Sequence, residues 1–134
     1  MGIYHPVRVF TDASFRNGLV GLGAAILLPD TSPVLLSWAL TDIPCSTTAE
    51  HKAVQWAGRQ TQKLLKHDVD RTWTYSCINI FNDNQSVAFK QQNFSGRDGL
   101  YYHWISRNHS MMKVAHRIAK QALNSYAQGK GEIP

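Results

Sequence analysis

The residues with the clearest chemical potential are three acids and a histidine that lie far apart in a chain of 134 residues: Asp12, Glu50, Asp83 and His116. Carboxylates that converge in a fold repel one another unless a cation lies between them. Oxygen ligands of this kind suit Mg²⁺ or Mn²⁺. The sequence therefore predicts a divalent-metal site, provided that the fold brings these side chains together.

The N-terminal part of the chain has the alternation of three consecutive strands joined by short turns. An Asn-Gly pair in the first connection is typical of a hairpin, and a Pro- and Ser-rich cluster marks the second connection. Gly21 and Gly23 inside the second strand indicate a bulge or the close approach of another backbone. The predicted strands span residues 7–11, 19–28 and 34–40.

The remainder alternates between helical and strand periodicity, which is typical of crossover units with parallel strands. The pattern predicts helices at 46–66, 86–92 and 110–127 and strands at 73–81 and 100–106, with a loop at 93–99. The fold class is therefore α/β, with a five-stranded mixed sheet flanked by helices. Asp12 and Asp83 end the first and fourth predicted strands, where the sites of such sheets gather.

Each candidate residue also has an interpretation without chemistry. Glu50 stands three residues after Thr47, which matches a helix capping box. Asp83 is placed to cap the helix that follows it. His116 on its helix is equally consistent with a partly buried polar residue that binds no metal. The four positions together are more specific than any one of them.

Four short motifs contain these residues in one order along the chain: Thr11-Asp12-Ala13-Ser14, Thr48-Ala49-Glu50, Asn82-Asp83-Asn84-Gln85 and Val114-Ala115-His116-Arg117-Ile118-Ala119. Their order and spacing resemble the type 1 ribonuclease H motifs. They are also similar to the ribonuclease H-like domains of retroelement polymerases. The resemblance runs over nearly the whole chain, and it implies the ribonuclease H fold.

The resemblance also implies an activity, which is hydrolysis of the RNA strand of RNA/DNA hybrids by a two-metal mechanism with Mg²⁺ or Mn²⁺. Asp12 would be shared by the two ions, with Glu50 and Asp83 completing their coordination. His109 occupies the place of a loop histidine that is thought to help product release or to shuttle a proton. An ordinary exposed loop histidine is the alternative interpretation of that residue.

Two departures from the family pattern limit these expectations. His116 stands where the family most often has a fourth carboxylate, and histidine is a poorer ligand for Mg²⁺ than for Mn²⁺. The interval before the last helix is too short for the extra helix and basic handle of many bacterial members. The expected hybrid-binding residues are then Arg16, Asn17, Ser46, Thr47 and the stripe of Lys113, Arg117 and Lys120, which is otherwise a solvated helix face.

These departures motivate a second hypothesis, a ribonuclease H-like module that has lost turnover and binds nucleic acid or serves a structural role in a retroelement polyprotein. An exonuclease or integrase-type nuclease is a third possibility, against which Glu50 on the first helix argues.

Composition agrees with a nucleic-acid partner. The net charge is +5 and the pI about 9.4, which permits a polyanionic ligand. Cys45 and Cys77 lack the spacing of a zinc or disulfide framework. Without a signal pattern or an apolar span, we expect an intracellular monomer in the cytoplasm or nucleus, with one domain over residues 1–134 and no membrane partner. It is either free-standing or part of a larger reverse transcriptase polyprotein.

Overall fold

A computed structural model describes residues 4–29, 31–67 and 74–129. In these residues five strands form one sheet in the order β3-β2-β1-β4-β5, accompanied by three α-helices and a 3₁₀ turn at Arg97–Gly99. The strands are β1 Tyr4–Arg16, β2 Leu19–Leu27, β3 Val34–Leu40, β4 Thr74–Asn82 and β5 Leu100–Trp104. The helices are α1 Ser46–His67, α2 Gln85–Gln92 and α3 Ser110–Gly129.

The predicted fold class is confirmed. β2 lies antiparallel to both β1 and β3, whereas β4 is parallel to β1 and β5 is parallel to β4. Most predicted bounds agree with the observed ones to within two residues, although Trp73, the predicted start of the fourth strand, lies outside the described residues. None of the described helices has the length and apolar character needed to cross a bilayer.

The predicted end of the first strand was wrong. β1 does not stop at residue 11 but continues to Arg16, which pairs with Leu19 across a tight turn. Asn17 and Gly18 both have positive φ angles in that turn, 51° and 81°, which is the geometry favoured between twisted strands. The antiparallel pairing thus carries β1 beyond the point where its parallel pairing with β4 ends, at Phe10.

The two faces of the sheet are covered by different helices. α1 buries an apolar stripe against Val7 and Val9 of β1 and Ile80 of β4. α3 lies on the opposite face, where Met112 and Ala115 pack on Phe10. Asp12 points to the same face as Phe10, because side chains two apart in a strand share a face.

α3 approaches β2 closely because that strand has no side chains at two positions. A β-carbon on Gly21 would overlap the carbonyl oxygen of Ala119, and one on Gly23 would overlap that of Ala115. The predicted close approach of another backbone is therefore confirmed, and the pairing of β1 with β2 runs without a bulge. We call this the glycine contact. It sets the height of α3 above Asp12, which pairs with Gly23.

Candidate metal centre

Strand register places two of the candidate carboxylates side by side. Phe10 of β1 pairs with Phe81 of β4, and their rings stack with centroids 4.9 Å apart and planes 14° from parallel. Asp12 and Asp83 each follow one of these rings by two residues. Both carboxylates therefore leave the ends of the parallel ladder on the face that carries the stacked rings.

Glu50 comes from the other side of the sheet, in the first turns of α1. Its carboxylate oxygen Oε2 accepts a hydrogen bond of 2.9 Å from the amide Nδ2 of Asn82. The helix begins at Ser46, so Thr47 lies inside it and is no cap. The capping-box interpretation of Glu50 was therefore wrong.

Asp83 does not cap α2 either. That position belongs to Asn84, whose side chain accepts a hydrogen bond from the backbone N–H of Val87. The carboxylate of Asp83 therefore lies beside those of Asp12 and Glu50. One carboxylate oxygen from each of Asp12, Glu50 and Asp83 lies within 4.8 Å of the others. We call these residues the carboxylate cluster.

Asn82 links the parts of the cluster. It is 1% exposed, and its Nδ2 donates both to Glu50 and, at 3.0 Å, to the backbone carbonyl of Thr11. Its Oδ1 accepts from the backbone N–H of Asn84 at 2.9 Å. One buried carboxamide therefore joins β1, α1 and the start of α2 immediately beside Asp12 and Asp83.

The electrostatics of the cluster favour a cation. Burial, followed by the charge of Asp12, raises the pKa of Glu50 to about 9. Burial and Asp12 also raise the pKa of Asp83, an effect that Arg107 partly opposes. Without a cation Glu50 keeps its proton near neutral pH, whereas hard oxygen donors at this spacing fit Mg²⁺ or Mn²⁺. The residues present therefore fit a divalent metal ion.

His116 lies beside the cluster and contacts Asp12 directly. Its Nδ1 is 2.9 Å from Oδ2 of Asp12, and the histidine side chain is 61% exposed whereas the aspartate is 5% exposed. The glycine contact explains this position, because Ala115 rests on Gly23, the cross-strand partner of Asp12. The alternative of a partly buried histidine is wrong, while metal ligation by His116 stays a prediction.

His109 has a structural position that the sequence did not reveal. Its Nδ1 accepts a hydrogen bond from the backbone N–H of Met111, at the start of α3. Its ring stacks on Phe10 at 5.0 Å, and His103 stacks on Phe81 at the same separation. Four rings thus form a continuous stack below the cluster. The exposed-loop interpretation of His109 is wrong, and its catalytic role stays a prediction.

The structure is similar to the crystal structure of LC11-RNase H1 in complex with an RNA/DNA hybrid, with a TM-score of 0.68 and 14% identity over 90% of this chain and 98% of that chain. It is also similar to the N-terminal RNase H domain of a Mycobacterium tuberculosis protein, with a TM-score of 0.65 and 17% identity over 93% and 98% of the two chains. The RNase H1 of Halobacterium salinarum matches with a TM-score of 0.67 at 14% identity, over 90% and 99%.

The chain has the ribonuclease H-like fold. A scan against protein-family models gave no match, and neither did a search of curated proteins. At these identities the likeness extends to the fold, and the chemistry of this ribonuclease H-like domain has to be argued from its own residues.

A cavity of about 500 Å³ opens above the carboxylate cluster. Of the predicted nucleic-acid-binding residues, Ser46 and Lys113 line it, together with Glu50, Asp83 and His116. Arg107 and Asn108 also line it and had no role in the sequence-based prediction. A basic residue in the loop between the last strand and the last helix was the available signal for Arg107.

The other predicted nucleic-acid-binding residues lie on the hairpin turn, at the start of α1 and on α3. The carbonyl of Gly18 accepts a hydrogen bond of 3.1 Å from the N–H of Ile43, which ties the hairpin turn to the segment before α1. Arg16 and Asn17 are therefore carried near the start of α1, where Thr47 is exposed. Arg117 and Lys120 are exposed on α3, one and two turns beyond Lys113. Their contacts with nucleic acid stay predictions.

Proposed function

We propose that this ribonuclease H-like domain, as a single domain, is a metal-dependent endoribonuclease that hydrolyses the RNA strand of RNA/DNA hybrids. The observation that carries the proposal is the carboxylate cluster, in which oxygens of Asp12, Glu50 and Asp83 lie within 4.8 Å at the ends of the parallel strands. A solved structure with the same fold holds an RNA/DNA hybrid, which supports this substrate class. Retroelement origin stays a prediction from the resemblance.

Asp12, Glu50 and Asp83 would hold the two divalent ions. Bound ions would make the attacking water more acidic and stabilise the negative charge that develops on the phosphoryl oxygens. The protein holds one of these ligands in place before any ion arrives, because the amide of Asn82 donates a hydrogen bond to Glu50. Such fixed partners raise metal affinity because little reorganisation is left to occur on binding.

The cationic residues in the cavity wall provide the complementary function. Arg107 and Lys113 line the same cavity as Glu50 and Asp83, so a phosphodiester drawn to them would lie beside the cluster. Ser46 and Asn108 add neutral hydrogen-bonding groups that suit sugar hydroxyls.

The direct test is cleavage of a labelled hybrid by the purified protein in Mg²⁺ or Mn²⁺. We expect cuts inside the RNA strand of the hybrid and none in its DNA strand. Asp12→Asn removes a charge at the centre of the cluster and should reduce the rate by about a thousandfold or more. Asp98→Asn, an exposed acid on the 3₁₀ turn, serves as the matched control. Full activity in Asp12→Asn would contradict the proposal.

One observation favours a second function, a module that binds nucleic acid without turnover. The Nδ1 of His116 is bonded to Oδ2 of Asp12, the same carboxylate that the enzyme would need for both ions. If this bond persists, the second ion has to compete with it. Calorimetric titration with Mn²⁺ distinguishes the two functions, since hybrid binding without any measurable cation binding would favour the module.

A further inference from the structure

The cavity above the carboxylate cluster continues past Asp83 into a second cavity of about 570 Å³. The residues common to both walls are Asp83, Asn84, Arg107 and Asn108. The second cavity, which we call the tryptophan recess, is completed by Gln85, Ser86, Trp104 and Ser106. Because the two cavities share a wall, a ligand longer than one nucleotide that occupied the first would extend into the recess.

Trp104 is fixed in the recess and presents an apolar surface. It is the last residue of the edge strand β5, and its indole N–H donates a hydrogen bond of 3.1 Å to the backbone carbonyl of Asp83. That bond uses the only polar atom of the side chain, which is nevertheless 44% exposed. The exposed surface is therefore ring carbon, held in one orientation beside a polar cavity.

Arg107 places a positively charged guanidinium at the same recess, and this group is not paired with a neighbouring acid among the described residues. Arg107 and Asp83 both line the two cavities, which places the two groups on the same shared wall. Among the residues that the structure describes, no acid lies within 4 Å of the Arg107 guanidinium to form an ion pair. The guanidinium donors of Arg107 are thus available to an anion such as a phosphate.

We propose that the tryptophan recess is a subsite for one nucleotide of the polynucleotide backbone, with the ribose against the ring of Trp104 and the phosphate at Arg107. This subsite rests on the proposed function, because it extends the same groove. The sugar-phosphate backbone is the part of a duplex that fits this subsite. The faces of the bases are covered by neighbouring base pairs, whereas the sugars and phosphates face outward. The neutral amides and hydroxyls of Asn84, Gln85 and Ser86 suit the ribose hydroxyls and phosphate oxygens.

The test measures equilibrium binding of a fluorescent RNA/DNA hybrid in cation-free buffer, with Asp12→Asn as the background so that no cleavage occurs. Trp104→Ala should weaken binding by about 5- to 20-fold, and Trp104→Phe, which keeps a ring, by about threefold at most. Trp38→Ala is the matched control, because Trp38 is 54% exposed on β3 at the other edge of the sheet. It should leave binding unchanged.

A second pair of variants tests the phosphate contact. Arg107→Gln should weaken binding and reduce by about one the slope of log affinity against log salt concentration. Arg8→Gln, an exposed arginine near the start of β1, should leave the slope unchanged. If Trp104→Ala does not fold, Trp104→Phe gives a second readout: it should abolish a change in tryptophan fluorescence on hybrid binding that Trp38→Phe retains.

The outcomes separate the subsite from the proposed function. Equal affinities for Trp104→Ala and Trp38→Ala would overturn the subsite while leaving hybrid cleavage intact. An effect of Trp104→Ala that disappears when the hybrid ends are closed by hairpins would also overturn it, because the ring would then stack on a terminal pair. Binding of another polynucleotide in place of the hybrid, weakened by both variants, would support the subsite and contradict the hybrid preference. Absence of any polynucleotide binding would overturn both.

Discussion

The carboxylate cluster and the glycine contact are neighbours, since Asp12 of one pairs across the strands with Gly23 of the other. In the glycine contact, backbone meets backbone without intervening side chains, which buries apolar surface and fixes α3. In the carboxylate cluster, oxygens of three acids lie within 4.8 Å of one another, and burial, followed by the charge of Asp12, raises the pKa of Glu50 to about 9. The difference shows that the favourable packing of the glycine contact holds the carboxylate cluster in place, although the electrostatics of the cluster are unfavourable. Four predictions test this comparison.

The largest effect is expected from Gly21→Ala. The added β-carbon would overlap the carbonyl of Ala119, and a helix backbone cannot move as a flexible side chain can. The free energy of unfolding should fall by about 3 kcal/mol or more, measured by urea denaturation. Gly58→Ala is the control, since its β-carbon would meet only the side-chain ends of Ile80, at 3.1 Å, and Leu100, at 3.4 Å. Equal stability of the two variants would contradict the role of the glycine contact.

Asn82→Ala should act mainly on the cluster. Without the amide, Glu50 loses the donor that holds its carboxylate, so Mn²⁺ affinity measured by calorimetry should fall about 10- to 100-fold. Asn79→Ala is closely matched, because Asn79 lies on the same strand but bonds to His103. If Asn79→Ala lowers the affinity as much as Asn82→Ala, general destabilisation of β4 is the cause and the positioning role of Asn82 is wrong.

Glu50→Gln should stabilise the metal-free protein. Because folding raises the pKa of Glu50 from 4.5 to about 9, the folded state keeps a proton that the unfolded chain releases between these pH values. Stability therefore falls as pH rises through this window, and a glutamine removes the loss. We expect a gain of about 1 to 2 kcal/mol at pH 8 in a chelator and none at pH 4. If Glu50→Gln is less stable than the unchanged protein at pH 8, the ionised carboxylate of Glu50 does not destabilise the folded state.

The smallest effect is expected from His116→Asp, which adds a fourth acid where the contact with Asp12 now lies. Mg²⁺ affinity should rise about fivefold, and the metal-free protein should lose about 1 kcal/mol of stability. His67→Asp, an exposed histidine at the end of α1, controls for the change in net charge. An unchanged Mg²⁺ affinity would indicate that His116 already contributes as much to Mg²⁺ binding as a carboxylate at this position would.

The sequence was sufficient to predict the order of strands and helices and the convergence of the acids. Periodicity and turn residues set the elements, and the ends of the parallel strands had to bring Asp12 near Asp83. The expected end of β1 was wrong because the hairpin turn favours pairing as far as Arg16, an effect that a local pattern does not contain. The two capping interpretations failed for a similar reason, since a contact distant in sequence decided where Glu50 and Asp83 point.

Contacts that depend on side-chain direction could not be predicted. Asn82 stood inside a recognised motif without a predicted role. Its amide at the end of an apolar strand was the available signal, but its burial, which requires hydrogen-bond partners, is visible only in the structure. The stack of His109 on Phe10 depends on where α3 begins relative to the sheet. Trp104 and Arg107 were not predicted, because their importance lies in a cavity that exists only once the loop after β5 is folded.

The hydrogen bond between His116 and Asp12 joins residues 104 positions apart, and the bond between Asn82 and Glu50 joins residues 32 apart. Contacts of such long range slow the folding of a chain, because a large loop has to close before they can form. Any fragment that contains both Asp12 and His116 has to include most of the chain, so high-affinity cation binding would be a property of the folded molecule. Bound cation would then raise the melting temperature in proportion to the logarithm of its concentration, which makes metal titration a direct measure of how much of the protein is native.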